Sequence, residues 1–142
     1  MRRYRIKCVM ASAVCLVLGL VIYIFLRSGT YIHSFLTENL NVVLHEIKFK
    51  TADNILNNFL GYYFVDFLWG CSLIFALCSV STKACKSNVI KCSVYSFALG
   101  ALFEVAQYFS YINGTYDFID ICMYAAASLV CVAININILL RR

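Results

Sequence analysis

Apolar residues run along this chain in long uninterrupted blocks, not in the alternating pattern of a half-buried strand. Residues 8–26 (CVMASAVCLVLGLVIYIFL), 89–111 and 119–140 each approach the roughly 20 residues that cross about 30 Å of hydrocarbon. Residues 59–80 (FLGYYFVDFLWGCSLIFALCSV) do the same despite Asp66. A helix satisfies its backbone polar groups within one segment, so each block predicts a transmembrane helix. The chain has no proline and hence no obvious kink site, which predicts four fairly straight helices. Between the first two blocks the pattern changes. Ile32, Phe35, Leu36, Leu40, Val43, Leu44 and Ile47 recur at helical spacing, with Glu38, Asn41, His45 and Glu46 on the other faces. That spacing predicts an amphipathic helix over about 31–47, either lying in the outer interface or packed on the outer ends of the bundle. The fold class is therefore all-α: a polytopic membrane protein of four transmembrane helices with one interfacial helix, in a single domain over residues 1–142.

Composition points the same way, since 63% hydrophobic and 13% charged residues lie far from the norm for a water-soluble domain. The first block is too long for a signal peptide and no small-residue cleavage site follows Leu26, so it reads as a retained anchor. Charge then sets orientation. Arg2, Arg3, Arg5 and Lys7 precede the first helix, Lys83, Lys86 and Lys91 lie at the connection between the second and third, and Arg141 and Arg142 follow the fourth. Only Arg27, Lys48 and Lys50 fall on the other side, which places both termini in the cytoplasm. The net charge of +5 is accounted for by this bias and by anionic lipid, and no nucleic-acid-binding motif is present. Of eight cysteines none lies in 27–58 and no CxxC pair occurs, so the cysteines read as packing residues. No metal or cofactor is expected, and His33 and His45 join no ligand pattern.

The acids are placed differently. None of the seven falls on the basic side of the predicted membrane. Asp66 lies seven residues inside the second block and Glu104 seven inside the third, which puts both about 10 Å deep at the same level. Asp117 and Asp120 enter the fourth helix from that side. Helical spacing assigns inward stripes: Tyr62, Asp66 and Gly70; Ser93, Ser96, Gly100, Glu104, Gln107 and Tyr111; Asp120, Tyr124, Ala127, Cys131 and Asn135. A carboxylate facing lipid at a helix centre costs on the order of 2.5–3.5 kcal/mol, so these groups are expected to face protein or water. Asp117 also fits a helix N-cap, and Gln107 and Tyr111 also fit hydrogen bonding between helices. Asp66 and Glu104 are the candidates for catalysis, and Asp66, Glu104, Gln107, Asp117 and Asp120 those for ligand binding.

The run FEVAQYFSYINGTYDFIDI, with YYFVDFLWGCSLIFAL before it, resembles the VanZ-like family of small bacterial membrane proteins, in which Glu-x-x-Gln closes one helix and a turn leads to a paired-aspartate motif opening the next. Carried over, the family's polar positions fall on Glu104, Gln107, Asp117 and Asp120. The chain departs from the family's usual arginine at Thr115, asparagine at Tyr124 and glycine at Ala127. The resemblance implies a cell-envelope protein and a link to glycopeptide (teicoplanin) resistance. Three functions remain open. The first is a binding protein whose outward acidic and polar pocket takes a lipid-linked or cationic amphiphilic ligand at the outer leaflet, with membrane lipids, a lipid-linked cell-wall intermediate or a lipoglycopeptide as the expected partners. The second is an intramembrane enzyme using Glu104 and the paired aspartates on an envelope lipid. The third is a small cation or proton pathway.

Overall fold

The computed structural model describes residues 2–26 and 59–140, so the amphipathic segment 31–47, His33 and His45 lie outside the described residues. Among the described residues there are four α-helices: α1 (Arg2–Leu26), α2 (Phe64–Val80), α3 (Lys86–Tyr108) and α4 (Phe118–Leu140). All four segments, taking the turn Phe59–Tyr63 with α2, are long and apolar enough to cross a membrane, and no strand occurs among the described residues.

Three boundaries differ from the sequence expectation. α1 begins at Arg2 instead of residue 8, because the basic residues MRRYRIK carry no helix breaker and Tyr4 finds a buried partner. The second segment is not a uniform straight helix, for Phe59–Tyr63 forms a π-helical turn that runs into α2. α3 stops at Tyr108, three residues early, so Tyr111 leaves the inward stripe and stands 82% exposed. The stop has a physical form: Ser110 adopts φ 56°, its N–H bonds to the Gln107 carbonyl and the Tyr111 N–H to that of Ala106. These are the paired bonds of a Schellman termination, here with serine in the left-handed position that glycine usually fills.

α2 is the hub, packing against α1 on one side and against the α3–α4 hairpin on the other. Small residues permit the close approach. Ser12 Oγ donates to the Ser72 carbonyl at 2.9 Å and Ser72 Oγ returns a bond to the Ser12 carbonyl at 3.0 Å, locking α1 to α2. Ile74 and Cys131 are fully buried, and Cys71, Cys78 and Cys8 fill the same core as small hydrophobes. At one end of this core Tyr4 Oη donates to Asn135 Oδ1 at 2.8 Å, while Asn135 Nδ2 donates to the Cys131 carbonyl. α1 is thereby tied to α4.

Polar side chains are inside and large apolar ones outside. Ser72, Ser93, Ser96, Glu104 and Asn135 are buried, whereas Val17, Leu102, Phe103 and Leu129 are each more than half exposed. In water this arrangement would leave an apolar surface far beyond what a monomer tolerates. Against hydrocarbon it is the favourable one, because helices there associate through small and polar residues.

The described charges separate along the bundle axis. Arg2, Arg3, Arg5 and Lys7 open α1, and Lys83, Lys86 and Lys91 lie where α2 gives way to α3. Arg5 reaches the Ser81 carbonyl at 3.1 Å, so these two groups share one end. Asp66, Glu104, Asp117 and Asp120 lie toward the other.

Candidate functional site

Helix polarity decides what meets at the acidic end. α2 and α4 begin there and α3 ends there, so Asp66, early in α2, Glu104, one turn before the end of α3, and Asp117 and Asp120, at the start of α4, are brought level. All five residues expected from the sequence, Asp66, Glu104, Gln107, Asp117 and Asp120, line one cavity of about 1000 Å³. Among the described residues no lysine, arginine or histidine lines it.

Glu104 is the most enclosed of the five, at 4% exposure. Its Oε2 accepts the backbone N–H of Asp117 at 3.2 Å, a donor that the first turn of α4 leaves without an intrahelical partner. Asp117 in turn caps α4, its Oδ1 accepting the Ile119 N–H at 2.8 Å. Asp117 therefore has the capping role that its position also suggested. Its side chain is within reach of the Tyr63 hydroxyl, which links the cap to the π-helical turn.

Asp66 and Glu104, expected at one depth, both line the cavity. Tyr124 Oη donates to Asp66 Oδ1 at 3.3 Å. The early end of α3 also makes Glu104 shallower than expected, four residues or about 6 Å from the helix terminus.

Tyr124 takes its position from two glycines. A Cβ on Gly100 would stand 2.6 Å from the Tyr124 ring, and one on Gly70 would stand 3.1 Å from the Ala127 Cβ. Only glycine at these points on α3 and α2 lets the ring of α4 pass between the helices. Tyr124 thus packs against Gly100, and Ala127 against Gly70. Thr115 lines the cavity from the turn between α3 and α4. Gly114 in the same turn has φ +152° and packs so closely on the Gln107 side chain that a Cβ would clash at 2.6 Å. The turn is folded back over Gln107.

Sequence reasoning did not single out Tyr23, Trp69 or the apolar wall. Tyr23 of α1 and Trp69 of α2 stack with ring centroids 5.7 Å apart and line the cavity beside the acids. The available signal was the i, i+3 spacing of Asp66 and Trp69 on one helix. The rest of the wall is graded. Leu73 lies seven residues, about 10 Å, further along α2 than Asp66, and Leu99 lies five, about 7.5 Å, before Glu104 on α3. Ser96, deeper still, spends its hydroxyl on the Gly70 carbonyl at 3.4 Å. The cavity therefore has carboxylates and a polar turn at one end and leucines further along α2 and α3.

Compared with protein families, curated proteins and solved structures, the chain matches none of them. The functional reading rests on the site itself.

Proposed function

We propose that the chain is a multi-pass protein of the bacterial cytoplasmic membrane, VanZ-like in its polar motif, whose cavity receives an amphiphilic or lipid-linked ligand with its polar head among the acids. Both termini are cytoplasmic in this reading and the cavity opens toward the outer leaflet, because basic flanks stay inside and the acids lie at the opposite end. The observation that carries the proposal is the gradation of one cavity: Asp66, Glu104, Asp117 and Asp120 at one level, with Leu73 and Leu99 below them. A polar head and an apolar tail need that order. The volume also falls at the upper end of small-molecule sites, which run to about 1000 Å³. A modest rise in teicoplanin tolerance with little change for vancomycin is the phenotype this reading assigns to a susceptible Gram-positive host expressing the chain.

The test is mass spectrometry of lipid extracted from the purified protein. One head-group class should be enriched over the host membrane, and a Gly100→Leu variant, which fills the cavity wall beside Tyr124, should lose the enrichment while still inserting. Bulk membrane composition in both extracts would contradict binding. Recovery of one class in a chemically altered form would replace binding with catalysis. Reporter fusions after Ser81 and Gly114 should report opposite sides of the membrane, and a cytoplasmic Gly114 fusion would contradict the orientation.

A further inference from the structure

We infer that the basic end of the bundle carries a binding site for an anionic phospholipid, its phosphodiester held by Arg2 and Arg5 and an acyl chain laid along Ile6, Val9 and Met10. These five residues line one shallow groove of about 450 Å³ on α1. Counted from Arg2 they fall three, four, seven and eight residues on, which places them on one helical stripe. The opposite stripe of α1 packs into the core, for Tyr4 and Cys8 are buried, whereas Ile6, Val9 and Met10 are each more than half exposed. Arg5 is held in place, because its Nη2 donates to the Ser81 carbonyl at 3.1 Å. That bond takes one donor of a guanidinium fork, and a phosphate is bound through two such donors in parallel. No acidic residue occurs in 1–26, 67–103 or 121–142, so the parts of the four helices that reach this end supply no counter-charge.

Depth within the groove identifies the occupant. Met10 lies five residues, about 7.5 Å, further along α1 than Arg5, so the cationic donors stand at the helix end and the exposed aliphatic side chains lie beyond them in the apolar block. That is the order of a phospholipid, phosphate first and hydrocarbon after. A soluble phosphate ester would meet the arginines and leave the aliphatic half of the groove without a partner. The charge of the whole head follows from the neighbouring turn, where Ser81 Oγ and Asn88 Nδ2 both donate to the Lys83 carbonyl, at 3.3 and 2.9 Å, and so fix a third basic residue on the turn that Arg5 reaches. A zwitterionic head would bring an ammonium group toward these cations, whereas an anionic head brings none. The groove lies at the opposite end of the bundle from the acidic cavity, and the inference does not depend on what that cavity binds.

The experiment is native mass spectrometry of the full chain, titrated in a neutral maltoside detergent with dioleoyl phosphatidylglycerol or dioleoyl phosphatidylcholine. The glycerol lipid should bind at least about fivefold more tightly than the choline lipid. Arg2→Gln leaves the Arg5 bond to Ser81 intact and removes one charge from the groove, so it should weaken phosphatidylglycerol by about fivefold at wild-type thermal stability. Lys91→Gln removes an equal charge from α3, across α2 from α1, and should leave the affinity within about twofold. Water-soluble glycerophosphoglycerol, the same head without its chains, should fail to displace the lipid. Equal binding of the two lipids or an unaltered Arg2→Gln affinity would overturn the inference. So would a Lys91→Gln loss as large as that of Arg2→Gln, which marks diffuse attraction to any basic helix end, or displacement by the bare head, which marks a phosphate site that takes no lipid.

Discussion

Glu104 Oε2 accepts the backbone N–H of Asp117 at 3.2 Å, so a single carboxylate that lines the cavity also fastens the end of α3 to the start of α4. The two roles separate by substitution. Glu104→Gln retains an acceptor and should unfold within a few degrees of wild type in detergent. Glu104→Leu strands the Asp117 N–H and should lower stability by about 1–3 kcal/mol, the cost of an unsatisfied buried donor. If Gln is as destabilising as Leu, the charge and not the hydrogen bond holds the turn.

Gly100 faces the Tyr124 ring so closely that an added Cβ would stand at 2.6 Å. Gly100→Ala should displace Tyr124, lengthen its bond to Asp66 and cost about 1–3 kcal/mol as overpacking does, measurable by thermal unfolding. Tyr124→Ala in the same background should recover part of that loss. An additive double variant would show that the two residues do not meet.

At the basic end, Tyr4→Phe removes the 2.8 Å donor to Asn135 Oδ1 and leaves the Cys8 thiol, at 3.7 Å, as its described side-chain donor. The loss should be about 0.5–2 kcal/mol, in keeping with hydrogen bonds between membrane helices. Binding at the acidic cavity should be unchanged. A weakened cavity with unchanged stability would contradict the separation of the two ends.

Ser110 holds φ 56° at the end of α3, a conformation that costs a residue with a Cβ about 1–2 kcal/mol. Ser110→Gly should stabilise the protein by up to about 1 kcal/mol, the gain being reduced by the larger unfolded-state entropy of glycine. A lower unfolding temperature would mean that the serine side chain contributes something the backbone geometry does not reveal.

The four helices and the grouping of Asp66, Glu104, Gln107, Asp117 and Asp120 were legible in the sequence because both follow from depth along a helix. A buried acid in a 20-residue apolar block has few places to face, and spacing of three and four residues names the face. Ser93, Ser96, Gly100 and Glu104 are indeed all buried on α3. Which acid meets which was not legible. Pairing depends on rotation about the helix axis and on local ends, and the Schellman turn at Ser110 stops α3 early while Gly100 admits the Tyr124 ring to Asp66. Neither carries a one-dimensional signal strong enough to override periodicity. Tyr23 and Trp69 escaped notice for a related reason: aromatic residues are common in apolar helices, and only the α1–α2 packing brings these two together beside the acids.

The central claim is that an amphiphile occupies the cavity with its head beside Glu104 and its tail toward Leu73 and Leu99. Trp69 is the chain's single tryptophan and lines that cavity, so its emission reports occupancy without a label on the protein. The measurement is quenching of Trp69 by single-chain amphiphiles brominated on the tail, with cationic, neutral and anionic heads tried in turn. At least one head class should quench saturably in the wild type, and Glu104→Gln at wild-type stability should shift that curve to higher concentration. Weak, non-saturating quenching by every class, identical in the two proteins, would place the amphiphile in the surrounding lipid and contradict the account.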